Sequence, residues 1–374
     1  MTSTAKTLQT AQERLAALLP GFAERAAAHD AEDCFVAENF AALKAARLMS
    51  AAVPADLGGD GLAIADLARL LHQLAGACPS TALAFAMHTH VVALLAWRRQ
   101  HQKAPVDAVL GRIAREQLTL ISSGGSDWLD SAGTARRGEG GFVIDAVKAF
   151  ASGSPAGDLL NTSAIYQDPQ AGPTVLHFMV PLTAKEVTVE QSWRAMGMRG
   201  TGSGAIRLDG FFVADAAVGA KRPRGKWHPL FHMVSMVAIP LVYSVYYAVA
   251  ESMRDVAVGA ARLKPASATL IDQVGELETE LAAARMALAD MLQAAEGPPC
   301  PETTNRVFLG RANVVRALMA VAERALELGG GQAYQRPHRL EQLFRDLQAA
   351  RFHPLPARQQ RELAGKLALG LDID

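Results

Sequence analysis

The chain has only three cysteines in 374 residues, Cys34, Cys78 and Cys300, far apart and in no C-x-x-C pair. That number and spacing exclude a disulfide framework and a cysteine-based zinc site, and they fit a reducing cytoplasm. Net charge is also lacking: 37 basic residues balance 37 acidic ones, so no overall field draws the chain to nucleic acid or to an anionic membrane. The N-terminus, MTSTAKTLQTAQERL, has no apolar core of the kind a secretory signal needs. Long uncharged runs are scarce. MVSMVAIPLVYSVYYAVA (233–250) is one of 18 residues, but Pro240, two serines, three tyrosines and the absence of flanking basic clusters mark it as a buried central helix rather than a membrane span.

What is present is ample apolar material, 50% of residues, enough for a large core and two or three domains. Leu8, Ala11, Leu15 and Leu18 recur at helical spacing, as do Leu67, Leu70, Leu71 and Leu74. Between these helices VPADLGGDGL (53–62) is a Pro/Asp/Gly loop, and STALAFAMHTHVVALLAW (80–97) predicts a further apolar helix. From Leu118 the texture changes to short β-rich runs, among them GGFVIDAVKAF, LLNTSAIY, TVLHFMV and AIRLDGFFV, separated by Gly, Asp and Pro. After KRPRGKWHP (221–229) helix returns. Leu277, Leu281, Ala284, Leu288 and Met291 form one stripe, and Val314, Leu318, Val321, Ala325 and Leu328 another, suited to a long antiparallel bundle closed by the glycines at 329–331.

The predicted fold is therefore mainly α with a β insert: an N-terminal helical domain (1–117), a small antiparallel, barrel-like β domain (118–222) and a C-terminal four-helix bundle (223–374). RDLQAARFHPLPA (345–357) interrupts the last helical region. Pro354 cannot continue the amphipathic helix of Leu340, Leu343, Phe344 and Leu347, while Pro356 suits the first turn of another running through Leu363 and Leu367.

Single motifs in this chain are weak signals. A Gly-Gly-Ser-Asp is usually a turn, Phe150 at a strand end is by default core, Arg199 suits bracing a tight turn, and Tyr243, Tyr246 and Tyr247 suit packing. His228 and His232 stand at i,i+4 without a convergent carboxylate or cysteine motif, so no metal site is expected. Taken jointly, however, ISSGGSD (121–127), KAFASGSPAGD (148–158), WRAMGMRGTGSGAIRLDGFFV (193–213) and GGGQAY…RLEQLFRD (329–346) resemble, in order and over nearly the whole chain, the acyl-CoA dehydrogenase superfamily of flavoproteins. That family's order of helical, β and helical-bundle domains is the order read above.

The resemblance implies a flavin, FAD or alternatively FMN, contacted by Ser122, Gly125 and Ser126 of the first motif and by Phe150 and Ser152 of the second. Glu327, Gly330 and Gly331 would serve at the family's Gly-Gly turn, although the family's usual residue at 327 is glutamine. Donors near the flavin ring stabilise the charge it gains on reduction, and an aromatic wall excludes water. An Arg-x-x-Phe-Gly loop, frequent in members that hold FAD across a subunit interface, has no counterpart in ARLKPASATLIDQ (261–273). In acyl-CoA dehydrogenases the glutamate that removes the substrate's α-proton lies a few residues after the Arg-Asp pair, yet no Asp or Glu occurs from Leu347 to Arg361. The family's other place for it, eight residues before a proline equivalent to Pro240, is His232.

His353 instead matches, by its offset from Arg345-Asp346, a histidine of the flavin-dependent monooxygenase branch. His88 also aligns with a histidine there, and often in dehydrogenases too. A histidine near its usual pKa can donate or accept a proton at neutral pH. Three candidate catalytic histidines result, His353, His88 and His232. The main functional expectation is oxidation of an acyl thioester such as an acyl-CoA, or a related small substrate, through flavin N5, with electrons leaving to an electron-transfer flavoprotein. The alternative is a two-component monooxygenase fed by a flavin reductase and O2, and a flavin-free scaffold is a third. A homodimer or homotetramer is implied in each case.

Overall fold

The computed structural model describes residues 3–123, 125, 128–336 and 338–374; Ser126 lies outside the described residues. Six helices come first: α1 (Ser3–Ala16), α2 (Leu19–Ala31), α3 (Ala37–Ala45), α4 (Ile64–Ala77), α5 (Pro79–Gln102) and α6 (Asp107–Glu116). Eight strands follow: β1 (Leu120–Ser122), β2 (Thr134–Gly138), β3 (Gly141–Lys148), β4 (Leu159–Asp168), β5 (Gly172–Pro181), β6 (Val187–Val189), β7 (Ile206–Ala214) and β8 (Ala220–Pro223). Helix resumes with α7 (Pro229–Ala261), α8 (Ala268–Ala294), α9 (Pro301–Gly329), α10 (Arg339–Leu347) and α11 (Ala357–Ala368).

Prolines at the first turn open α5, α7 and α9, where the missing N–H would have had no helical partner. Ser267 caps α8 by accepting from the Leu270 N–H at 3.2 Å. The two stripes read from the sequence on α8 and α9 are buried, and α7 runs between them and the N-terminal domain, packing on α4, α5, α8 and α9. Its apolar run is thus a central core helix, 94% buried over its most hydrophobic window, and Pro240 removes one donor without ending it. In the C-terminal helical region three long helices, α7, α8 and α9, pack mutually, and the short α10 and α11 lie against α9.

The sheet departs from the antiparallel, barrel-like expectation. Its order is β6-β7-β3-β2-β4-β5-β8, and both β1 and β2 pair with β4 in parallel. Parallel neighbours need a long crossover, and the β2–β3 hairpin with the connection to β4 supplies one between β1 and β4. Among the described residues no pairing joins β6 to β8, so the ladder is open. Phe142, Ile144, Leu160, Leu176, Phe178 and Leu208 form its own buried core.

Candidate functional site

The 193–204 loop is fastened to α10. Asp346 Oδ1 accepts from the Met198 N–H at 2.5 Å, and Arg345 donates to the Met196 carbonyl at 3.0 Å while gripping both oxygens of Asp30 and of Glu341. Gly197 is required by the close approach: a Cβ there would lie 2.2 Å from the Arg345 carbonyl oxygen. Arg199 braces the same turn, donating to the Ala195 carbonyl at 3.2 Å and pairing with Asp33 at 3.4 Å. Asp346 is enclosed, its Oδ2 has no partner, and burial pushes its carboxyl up to about 7.

This clamp orders a row of hydroxyls. Thr201 Oγ1 donates to the Met198 carbonyl at 2.8 Å, so its lone pairs are left for Ser203 Oγ at 2.7 Å, and Ser203 in turn for Ser152 Oγ at 2.7 Å. Each hydroxyl has one proton. Donation therefore runs from Ser152 through Ser203 to Thr201, and Ser152 is left with lone pairs to offer outward. Two residues before it, Phe150 is 61% exposed and sits at φ +57°, a left-handed conformation that costs a bulky residue about 1–2 kcal/mol. Its ring meets Trp193 edge-on, with centroids 6.1 Å apart. The default core reading of Phe150 does not hold, because β3 ends before it and the strained turn swings the ring away from the sheet core.

Ser122 ends β1 opposite Asn161. A Cβ on Gly125 would lie 4.0 Å from Pro354 Cδ, which sets Gly125 against the turn carrying His353. His353 Nε2 is 2.6 Å from the hydroxyl of Tyr246, which is fully buried on α7. If Nε2 were the donor, the phenolic proton would be stranded in the core; donation by Tyr246 avoids this and leaves the ring's own proton on Nδ1. Burial first, then the Arg311 and His90 charges, press the His353 ring down to about 4. It is neutral at pH 7.

His90, which the sequence reading passed over, is close enough for its charge to act on His353. Its Nδ1–H donates to the Ala86 carbonyl at 3.0 Å, so Nε2 carries a lone pair, and burial holds this ring down to about 4 as well. Both rings remain partly exposed. His353 thus offers a donor at Nδ1 and His90 an acceptor at Nε2, both on neutral rings.

The other candidates are placed elsewhere. His88, 1% exposed, has both nitrogens engaged: Nε2 donates to the Met49 carbonyl at 2.8 Å, and Nδ1 accepts from the Leu120 N–H at 2.9 Å. It ties α5 to β1 and has no nitrogen left for reaction. His232 stacks on Trp227 at 5.6 Å, and its Nδ1 meets Thr304 Oγ1 at 2.8 Å. It lies fourteen residues before Tyr246 on the same helix, or about 21 Å along the axis at 1.5 Å per residue, too far to share a reacting atom with His353. His228 accepts from the Leu230 N–H as the cap of α7. Glu327 pairs with Arg324 near the end of α9, and a Cβ on Gly330 or Gly331 would meet only open space. Tyr246 had a signal in the sequence, since a phenol amid an apolar run must find a partner for its hydroxyl. Thr201 and Ser203 had none beyond the glycine-rich context.

Family comparison agrees with this architecture. The acyl-CoA dehydrogenase N-terminal domain family matches residues 7–115, and the acyl-CoA dehydrogenase C-terminal domain family matches residues 243–356. L-evernosamine nitrososynthase of a Micromonospora species is 28% identical over 98% of this chain and 91% of its own. The putative acyl-CoA dehydrogenase YdbM of Bacillus subtilis is 26% identical over 91% and 92%. A crystal structure of KijD3 in complex with FMN and dTDP-3-amino-2,3,6-trideoxy-4-keto-3-methyl-D-glucose superposes with a TM-score of 0.89 at 26% identity, covering 100% of this chain and 95% of that one. Motif order, domain order and these matches agree: the chain belongs to the acyl-CoA dehydrogenase superfamily.

Proposed function

We propose that the protein is a flavin-dependent monooxygenase, the alternative of the two enzyme readings, acting on a small substrate with an oxidisable nitrogen. The observation that carries this reading is the hydrogen-bonded His353 where the resemblance puts the dehydrogenase's glutamate. A dehydrogenase base must reach the substrate's α-proton, and the nearest carboxyl in sequence, Asp346, is enclosed and bound to the Met198 N–H. Similarity over 98% of the chain to a nitrososynthase supports the same choice.

The residues fit a flavin. Phe150 offers an exposed ring that packing alone does not explain, Ser152 presents an acceptor suited to the ring N–H of a reduced flavin, and Gly125 lies against the turn that carries His353. Reduced flavin would supply the two electrons that allow one atom of O2 to enter the substrate while the other leaves as water. Within this frame His353 would donate a hydrogen bond from Nδ1, in the tautomer held by Tyr246, to the oxygen that gains charge, and His90 Nε2 would accept a proton from the substrate nitrogen. Glu327, Gly330 and Gly331, where the glycines meet open space, would reach a cofactor's far end in a second copy of the chain, which favours FAD and a homo-oligomer. A flavin reductase would supply the reduced cofactor.

The dehydrogenase reading is favoured by the similarity to YdbM. Mixing the flavin-loaded chain anaerobically with acyl-CoA thioesters of several lengths separates the two. The oxidised flavin is expected to keep its colour, and with reduced flavin and 18O2 an amine substrate should gain labelled oxygen. Bleaching by a thioester would overturn the proposal.

A further inference from the structure

Arg311 is 3% exposed on α9, and among the described residues no carboxylate lies within ion-pair distance of it. A buried guanidinium without an anion is costly, and an apolar side chain of similar length would fill the space with no desolvation penalty. Its contacts all converge on the turn that carries His353. One terminal nitrogen donates to the His353 carbonyl at 2.7 Å and to the Arg351 carbonyl at 3.2 Å. Nε donates to the Tyr243 hydroxyl at 2.8 Å, and that hydroxyl donates to the Ala350 carbonyl at 2.7 Å. Three carbonyls of one four-residue stretch are thus held from a single planar group, with Tyr243 as an intermediary. Tyr243 is three residues before Tyr246 on α7, so the same helix face fixes both the backbone of the turn and the His353 ring.

We propose that Arg311 is a positioning residue for His353: its fork fixes the Ala350, Arg351 and His353 carbonyls, and its charge, with no carboxylate partner among the described residues, opposes a positive charge on the neighbouring imidazole. The inference rests on the reading of His353 as the residue that donates to the oxygen. The groups facing His353 are Tyr246 from α7, with Tyr243 behind it, Arg311 from α9, His90 from α5, and Asp346 from α10, whose charge reaches Tyr246. After burial, the Arg311 charge is the largest of the influences that disfavour a proton on His353. Fork and charge are separable, because lysine keeps the charge and loses the planar, multidentate grip.

The test is an NMR titration of the His353 ring in the full-length, flavin-free chain, with His353→Ala used to assign the signal, alongside kcat of the flavin-loaded enzyme. Arg311→Met should raise the His353 midpoint by about one unit. Arg311→Lys should keep it within roughly 0.3 unit of the parent while kcat falls about tenfold or more and flavin affinity holds. If Arg311→Met does not fold, Arg311→Gln, whose amide still reaches one carbonyl, carries the same expectation. An unmoved midpoint in a folded neutral variant, or a midpoint that Lys fails to restore, would overturn the proposal. The titration needs no substrate, so a shifted midpoint without any oxygenation activity would sink the monooxygenase reading and leave this one standing.

Discussion

Replacing Tyr246 with Phe removes one oxygen atom and tests how His353 is held. The hydroxyl lies 2.6 Å from His353 Nε2 and is fully buried, and burial raises its own pKa well above the usual value, so it stays a donor throughout the working range. Loss of a neutral buried hydrogen bond costs about 1 kcal/mol net, and leaving Nε2 unpartnered brings the total to about 1–3 kcal/mol. The thermal midpoint should therefore fall by a few degrees. The larger effect should be on rate: with the tautomer no longer fixed, Nδ1 ceases to be the sole proton carrier, and part of the ~10²–10⁴-fold contribution of a placed donor is lost. We expect kcat to drop about 10–100-fold with flavin affinity unchanged, measured by steady-state turnover and by flavin titration. A variant less stable by the expected amount but with kcat within about twofold of the parent would refute the reasoning, because the phenol would then only fill space.

Two further outcomes concern stability. His88 is pressed down to about 4 by burial, whereas the unfolded chain protonates near 6.5. Its contribution is complete above pH 6.5 and lost as pH falls toward 4, by about 3 kcal/mol in all; urea midpoints should show this acid-side loss, and His88→Gln should reduce it. Asp346 runs the other way: its carboxyl, raised to about 7 by burial, makes stability greatest below pH 3.8 and lets it decline as pH rises through 7. Asp346→Asn should flatten that decline between about pH 4 and 7, whereas Asp346→Ala, which strands the Met198 N–H, should cost about 1–3 kcal/mol even above pH 7.

The order of helical, β and helical segments was legible because periodicities of 3.6 and 2 report directly on which residues are buried, and the stripes on α8 and α9 are cases in point. Strand direction was not legible. The parallel pairing of β1 with β4 depends on a crossover of some thirty-five residues, which no local pattern encodes. Within the candidate site, His353 was singled out by its offset from Arg345-Asp346, a distance along the chain. Which histidine of α5 could serve beside it was not legible. Two residues on a helix are about 200° apart, so His88 turns into the contact between α5 and β1 while His90 lies on a different face, and a histidine alone does not say which way its helix faces. The distance between His232 and His353 likewise follows from the length of α7 rather than from any motif.

The central claim is that neutral His353, locked by Tyr246, donates a hydrogen bond that supports the oxygen chemistry of a flavin site. Its most direct test is His353→Ala, assayed with reduced flavin, O2 and an amine substrate that the parent enzyme oxygenates. The account predicts that flavin stays bound and O2 is still consumed, while oxygenated product falls at least about 100-fold and hydrogen peroxide is released instead. Product formation at the parent rate in this variant would contradict it.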